Sequence, residues 1–150
     1  MRAFRSRLHC RLLVALAWLG VCLIASTTPA ALANGPGPSI IPQLQERFDL
    51  SERQVKGALG ALLVFARHRL PKPEFDQLTR SIPNAEYIMQ EVKLQGIVTR
   101  PLDDLDEYEA SLASLGIAQL LASQFAPVVM EYLGAAGFSL ERDMLARILY

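Results

Sequence analysis

Beyond residue 33 the chain contains no cysteine and one histidine, His68. Its two cysteines, Cys10 and Cys22, both fall within the first 33 residues, so the remainder has no disulfide framework, no thiolate nucleophile and no cysteine-ligated metal. A single imidazole leaves a histidine-based zinc site without a second nitrogen ligand. His68 reads as a surface residue at a helix end, with a base or ligand role as the alternative. No G-x-S-x-G elbow is present to expose a serine nucleophile. Gly57-x-x-Gly60 lies inside a predicted helix rather than between a strand and a helix, which excludes a phosphate loop. No catalytic, cofactor or metal site is expected.

Positive charge is also scarce. The whole chain balances 15 basic against 15 acidic residues, but Arg2, Arg5, Arg7 and Arg11 sit at the N-terminus, leaving eleven against 15 and a net charge of −4. Such a balance argues against a nucleic-acid partner, which needs a basic face to displace phosphate counterions. It argues equally against strong binding to anionic membranes.

Those four arginines precede an almost unbroken apolar run, Leu12 to Ala25, and Ala31-Leu32-Ala33 has the A-x-A form cut by signal peptidase. Residues 1–33 therefore read as a signal peptide cleaved after Ala33. A retained anchor is the alternative, but the run is shorter than the roughly 20 apolar residues a spanning helix needs. Val21, branched where a small residue is wanted, disfavours a lipoprotein modified at Cys22. Asn34 to Ser39, NGPGPS, reads as a flexible leader. Residues 40–150 are expected to form a single all-helical domain, long enough to bury one cysteine-free core.

Ile40, Ile41, Leu44 and Phe48 share a helix face. The stretch from Leu50 to Asn84 then organises the rest. Ser51 and Gln54 form a capping-box pattern, and Glu52 with Lys56 is an i,i+4 pair in the favourable order. Val55, Ala58, Leu59, Leu62, Leu63, Phe65 and Ala66 cover more than half the helix circumference, as expected of a central helix. Gly57 and Gly60 each cost about 1 kcal/mol relative to alanine in a helix. With Ala61 they make a strip that either admits a close-packed helix or docks a partner.

Pro71 and Pro73 predict a turn, after which Glu74 to Ile82 reads as a helix with Phe75, Leu78 and Ile82 inward. Ala85 to Val92 reads as another, with Tyr87, Ile88 and Val92 apolar, and Lys93 to Pro101 as a loop. The acids Asp103, Asp104, Asp106, Glu107 and Glu109 open a further helix where its dipole favours them; calcium binding is the alternative. Ile117 to Ala136 is strongly apolar, and Pro127 predicts a bend or a split there. Ser139 is the expected cap of a last helix with Leu140, Met144, Leu145, Ile148 and Leu149 buried. The acid pairs Glu74/Asp76 and Glu141/Asp143 suggest a glycosidase pair, but each also suits a helix first turn. The expected architecture is a compact bundle of about six to seven helices.

A shift of 67 positions brings Glu74, Asp76, Leu78 and Arg80 onto Glu141, Asp143, Leu145 and Arg147. It also places Gly60 on Pro127, suggesting two related units of a long and a short helix.

The motifs L-S-x-x-Q at Leu50 to Gln54, G-A-L-G-A-L-L at Gly57 to Leu63, F-x-Q-L…I-P-N at Phe75 to Asn84 and F-A-P-V-V-M-E-Y-L at Phe125 to Leu133 resemble a family of exported bacterial proteins, domain of unknown function 2780 (VcgC/VcgE). This chain departs from the family's pattern between Glu86 and Glu109, where it is charged. The resemblance implies an exported all-helical domain and supplies no activity or catalytic residues.

The expected function is that of a small exported protein, periplasmic or secreted, acting without catalysis as an interaction or structural accessory of the cell envelope. Its partner would be an unidentified envelope protein or a second copy. The alternative is a carrier of a small apolar ligand or lipid held between the helices.

Overall fold

The computed structural model describes residues 39–150. The signal expected over residues 1–33 and residues 34–38 of the expected leader lie outside the described residues. Seven helices and no strand are found among the described residues: α1 Ile40–Phe48, α2 Glu52–Arg69, α3 Lys72–Ser81, α4 Ala85–Leu94, α5 Leu105–Ser114, α6 Gln119–Ala135 and α7 Ser139–Leu149. The all-helical bundle is the one the periodicity predicts.

Its axis is α2. The capping box forms, with the Gln54 N–H donating to Ser51 Oγ at 3.3 Å and the Ser51 N–H donating to Gln54 Oε1 at 3.1 Å. Lys56 pairs with Glu52 at 2.5 Å. From Gly57 to Ala66 every residue is buried, as an apolar sequence on all sides of a helix requires. The covering elements are α1, α3, α4, α5 and α7. α4 lies antiparallel to α2, since Arg53 at one end reaches Gln95 while Gly60 sits under Ile88 and Val92.

Four local features differ from or sharpen the expectation. α3 begins at Lys72, not Glu74, with Pro71 at the cap and Pro73 in the first turn, where proline's missing N–H costs nothing. Tyr87 is 63% exposed; the inward face of α4 is Ala85, Ile88, Met89 and Val92, and Tyr87 is about 100° away from Ile88. α6 begins at Gln119, because the buried Ile117 donates its N–H to Leu112 and closes α5 instead. In α7, Ser139 is the first helical residue and Phe138 the cap, while Leu140 is 54% exposed and Glu141 only 8%. Glu141, Met144, Leu145 and Ile148 follow the i, i+3, i+4, i+7 rule, which turns Leu140 outward.

Pro127 does not split α6, which is continuous from Gln119 to Ala135. The carbonyl that proline leaves without a helical donor belongs to Ser123, which is exposed to water. The left-handed turns after α4, α5 and α6 fall on Gly96, Gly116 and Gly137, with φ of 70°, 75° and 87°. α5 and α6 meet at 114°.

The 67-residue echo recurs in the helix boundaries. Shifted by 67, the starts of α2 and α3 fall on the first residues of α6 and α7, Gln119 and Ser139, and α1 falls over α5 within two residues. Contacts follow the same exchange, α1 against α6 and α2 against α5, while α3 lies on α7. Arg147 of α7 ion-pairs with Glu74 of α3, and Gln77 of α3 donates to Glu141 of α7 at 3.1 Å. These pairings set the two short helices antiparallel, with the identical residues of each echo on facing elements.

Candidate functional site

The strip on α2 is interior. A Cβ added at Gly57 would lie 2.6 Å from Leu115 Cδ1 and 3.4 Å from Ile97 Cδ1. One at Gly60 would lie 2.5 Å from Val92 Cγ1 and 3.1 Å from the Ile88 carbonyl oxygen. Ala61 is fully buried. Close approach of α4 and of the turn after α5 occupies the strip and leaves no surface there for a partner. Pro127, half-buried, follows Phe125, which stacks on Phe48 of α1 at 5.6 Å. Side chains thus fill the space beside the α2 strip and between α1 and α6 at Phe125.

Chemistry is concentrated instead along the second half of α2. A groove of about 600 Å³ lies between α2, the last turn of α4 and residues 98–101. Its walls include Val64 and Val98, both buried, with Pro101, and its polar groups are Arg67, His68, Lys93 and Arg100 with Thr99. No carboxylate among the described residues lines it. Arg67 and Lys93 also border a second groove, about 480 Å³, whose lining includes Asp76 and Glu86.

The other cations of the domain are engaged. Arg47, Lys56, Lys72, Arg100, Arg142 and Arg147 form ion pairs with Glu131, Glu52, Asp76, Glu107, Asp143 and Glu74. Arg53 donates to Gln95 and Arg80 to the Asp76 carbonyl. Arg69 lies 5.4 Å from the Phe65 ring centroid and donates to the Asp103 carbonyl at 2.6 Å. Of the eleven basic residues after residue 33, only Arg67 and Lys93 have neither an ion pair nor a hydrogen bond nor a ring contact among the described residues. Both border the same groove, as does His68. Sequence reasoning singled out His68 alone: Arg67 and Lys93 are 26 positions apart, and only the packing of α4 on α2 brings them together.

Six of the acids singled out by the sequence, Asp104, Glu107, Glu74, Asp76, Glu141 and Asp143, have structural employment. Asp104 accepts the Glu107 N–H at 2.8 Å as the cap of α5, and Glu107 accepts the Asp103 N–H at 2.8 Å and pairs with Arg100 at 2.5 Å. No group of three or more His, Cys, Asp or Glu placed to hold a metal occurs among the described residues. Glu74 and Asp76 pair with Arg147 and Lys72, and Glu141 and Asp143 bond to Gln77 and Arg142, so all four carboxylates are engaged with neighbouring side chains.

Two buried polar side-chain atoms among the described residues lack a partner, Glu91 Oε2 and the Tyr108 hydroxyl, and Tyr108 is the more deeply enclosed of the two residues. Its ring is 6.1 Å from that of Phe65, and its hydroxyl has no hydrogen-bond partner. Burial, with a smaller contribution from Glu109, pushes its pKa well above the ordinary tyrosine value. Burial also raises that of Tyr132.

No curated protein and no solved structure matches the chain. The family described as "Protein of unknown function VcgC/VcgE (DUF2780)" matches residues 24–146, a span that takes in all of α1 to α6 and most of α7. With the four motifs of the resemblance lying on α2, α3 and α6 and at their edges, inside one matched span, the chain belongs to the VcgC/VcgE family.

Proposed function

We propose that the protein is an exported, non-catalytic accessory of the cell envelope that acts by surface contact with a protein partner. The observation that carries this reading is the outer stripe of α4. Tyr87 and Leu94, 63% and 88% exposed, are seven positions apart and so lie on one line along the helix. The opposite side of α4 is already committed to α2. Large apolar side chains aligned on the outside of a helix that is apolar inside as well are what a docking helix presents. The N-terminal sequence supports export, and the motifs of the family resemblance agree with it.

Two measurements test this. N-terminal sequencing of the protein recovered from the envelope fraction should begin at Asn34; an intact Met1 terminus in the cytoplasm would remove the export half. A photo-crosslinking side chain at Leu94 should trap one defined protein, and Tyr87→Glu with Leu94→Glu should abolish that adduct. A protein that forms no Leu94 adduct with any envelope component would sink the contact half.

The carrier reading is favoured by one observation, the groove beside Arg67. A ligand in that groove would sit at the surface beside α2 and α4.

A further inference from the structure

We infer that the groove between α2, the last turn of α4 and residues 98–101 is a binding site for a single-chain anionic amphiphile, a carboxylate on a short hydrocarbon body. The inference rests on the carrier reading and supplies its site and ligand class. The head group lies between Arg67 and Lys93. After residue 33 the chain has an excess of acids, enough to pair every cation, and six basic residues are so paired. Of the other five, Arg53, Arg69 and Arg80 are held by hydrogen bonds, and the remaining two, Arg67 and Lys93, face one groove with no carboxylate among its described lining residues. Like charges brought together at a surface repel, and an anion set between them reverses the sign of that interaction.

Two groups reduce the positive potential. Glu107 takes up the charge of Arg100, and the carbonyl end of α2 contributes roughly half a negative charge. Two full charges on Arg67 and Lys93 outweigh that half charge, and the Thr99 hydroxyl adds a donor to the lining. Asp76 and Glu86 border only the second groove, which places the anion on the 98–101 side of Arg67 and Lys93.

The walls decide against a bare ion. Val64 and Val98, only 3% and 4% exposed, form the floor of the groove, and the exposed Pro101 supplies its apolar wall. A volume of about 600 Å³ is in the range of small-molecule sites. An inorganic anion would use the cations and leave this wall wet, whereas an acyl chain would remove it from water.

Calorimetric titration of the purified protein with decanoate below its micellar concentration tests the site, with acetate as the head without the body and decanol as the body without the head. Decanoate should bind saturably at one site, about tenfold or more tighter than either control, and weaken as salt is raised. Arg67→Ala with Lys93→Ala should lose about tenfold or more in decanoate affinity. Arg47→Ala with Arg142→Ala removes the same charge elsewhere and should leave affinity unchanged, as should Tyr87→Glu with Leu94→Glu. No saturable decanoate binding overturns the inference. So does equal binding of acetate or decanol, or an equal loss in the two arginine-containing double variants. None of these outcomes bears on the Leu94 crosslink, so the contact reading stands or falls separately.

Discussion

Gly57 and Gly60 are three residues apart on α2, yet an added methyl would meet different obstacles. At Gly57 the nearest atoms are the ends of the Leu115 side chain, which a rotamer change can move. At Gly60 they are a branch of Val92 and the Ile88 carbonyl, part of the α4 backbone. Alanine gains up to about 1 kcal/mol over glycine in a helix. That gain should nearly offset the repacking of Leu115, whereas at Gly60 the overpacking cost of about 1–3 kcal/mol exceeds it. Chemical denaturation should therefore find Gly60→Ala clearly less stable than Gly57→Ala; the reverse order would show that α4 is not held close at Gly60.

Tyr108 makes a second prediction at this scale. Its hydroxyl is buried without a partner, which costs about 1–3 kcal/mol for such a group. Tyr108→Phe keeps the ring against Phe65 and should stabilise the protein by about 1 kcal/mol. The native pKa is raised by burial, so the native state holds the phenolic proton after the unfolded state releases it near pH 10. The associated stability is complete below that pH and declines as pH rises above it. Tyr108→Phe should flatten this alkaline decline, leaving the share that the raised pKa of Tyr132 contributes. A variant that is less stable at neutral pH, or has the same alkaline slope, would count against an unpartnered hydroxyl.

Among the elements, α2 depends on its first turn more than its burial suggests. The capping box satisfies two backbone N–H donors, those of Ser51 and Gln54, and Gln54 Nε2 also donates to the Leu115 carbonyl at 3.1 Å. Gln54 thus joins the helix start to the turn between α5 and α6. Ser51→Ala should cost about 1 kcal/mol, and Gln54→Ala should cost more because it also frees the Leu115 carbonyl. Equal losses from denaturant midpoints would show that the link to Leu115 contributes nothing.

The same element was the most legible in the sequence. A helix apolar on all sides has one place to go, and the Ser51 to Gln54 spacing marks its start. Legibility fell where neighbouring residues compete for one face. Leu140 outranks Glu141 in hydropathy, but Met144, Leu145 and Ile148 fix the phase of α7, and Glu141 is carried inward to Gln77. At Ile117 a buried apolar residue belongs to a turn, because closure of α5 takes its N–H before α6 begins. The groove was not legible at all. Arg67 reads as a helix-end charge and Lys93 as the start of a loop, and their unpaired state depends on where the chain's 15 acids have been placed.

For the whole molecule, the recurrence of helix order at a 67-residue shift raises the question of whether the halves are separate folding units. The contacts answer against it. α1 of the first half packs on α6 of the second and α5 on α2, so each half carries its partner's long helix. Separating them would strip α2 of α5 and α7, and break the Phe48–Phe125 and Phe65–Tyr108 ring contacts and the Glu74–Arg147 pair. Any opening that exposes the middle of α2 must therefore dismantle most of the core. Unfolding should be a single transition, coincident by far-ultraviolet and aromatic circular dichroism. Amides from Ala58 to Phe65 should be the slowest to exchange, at rates set by global unfolding, while those of α4, whose outer side faces solvent, should exchange faster through local opening. Two separated transitions, or α4 amides slower than those of α2, would mean that the halves hold together less firmly than their exchanged contacts require.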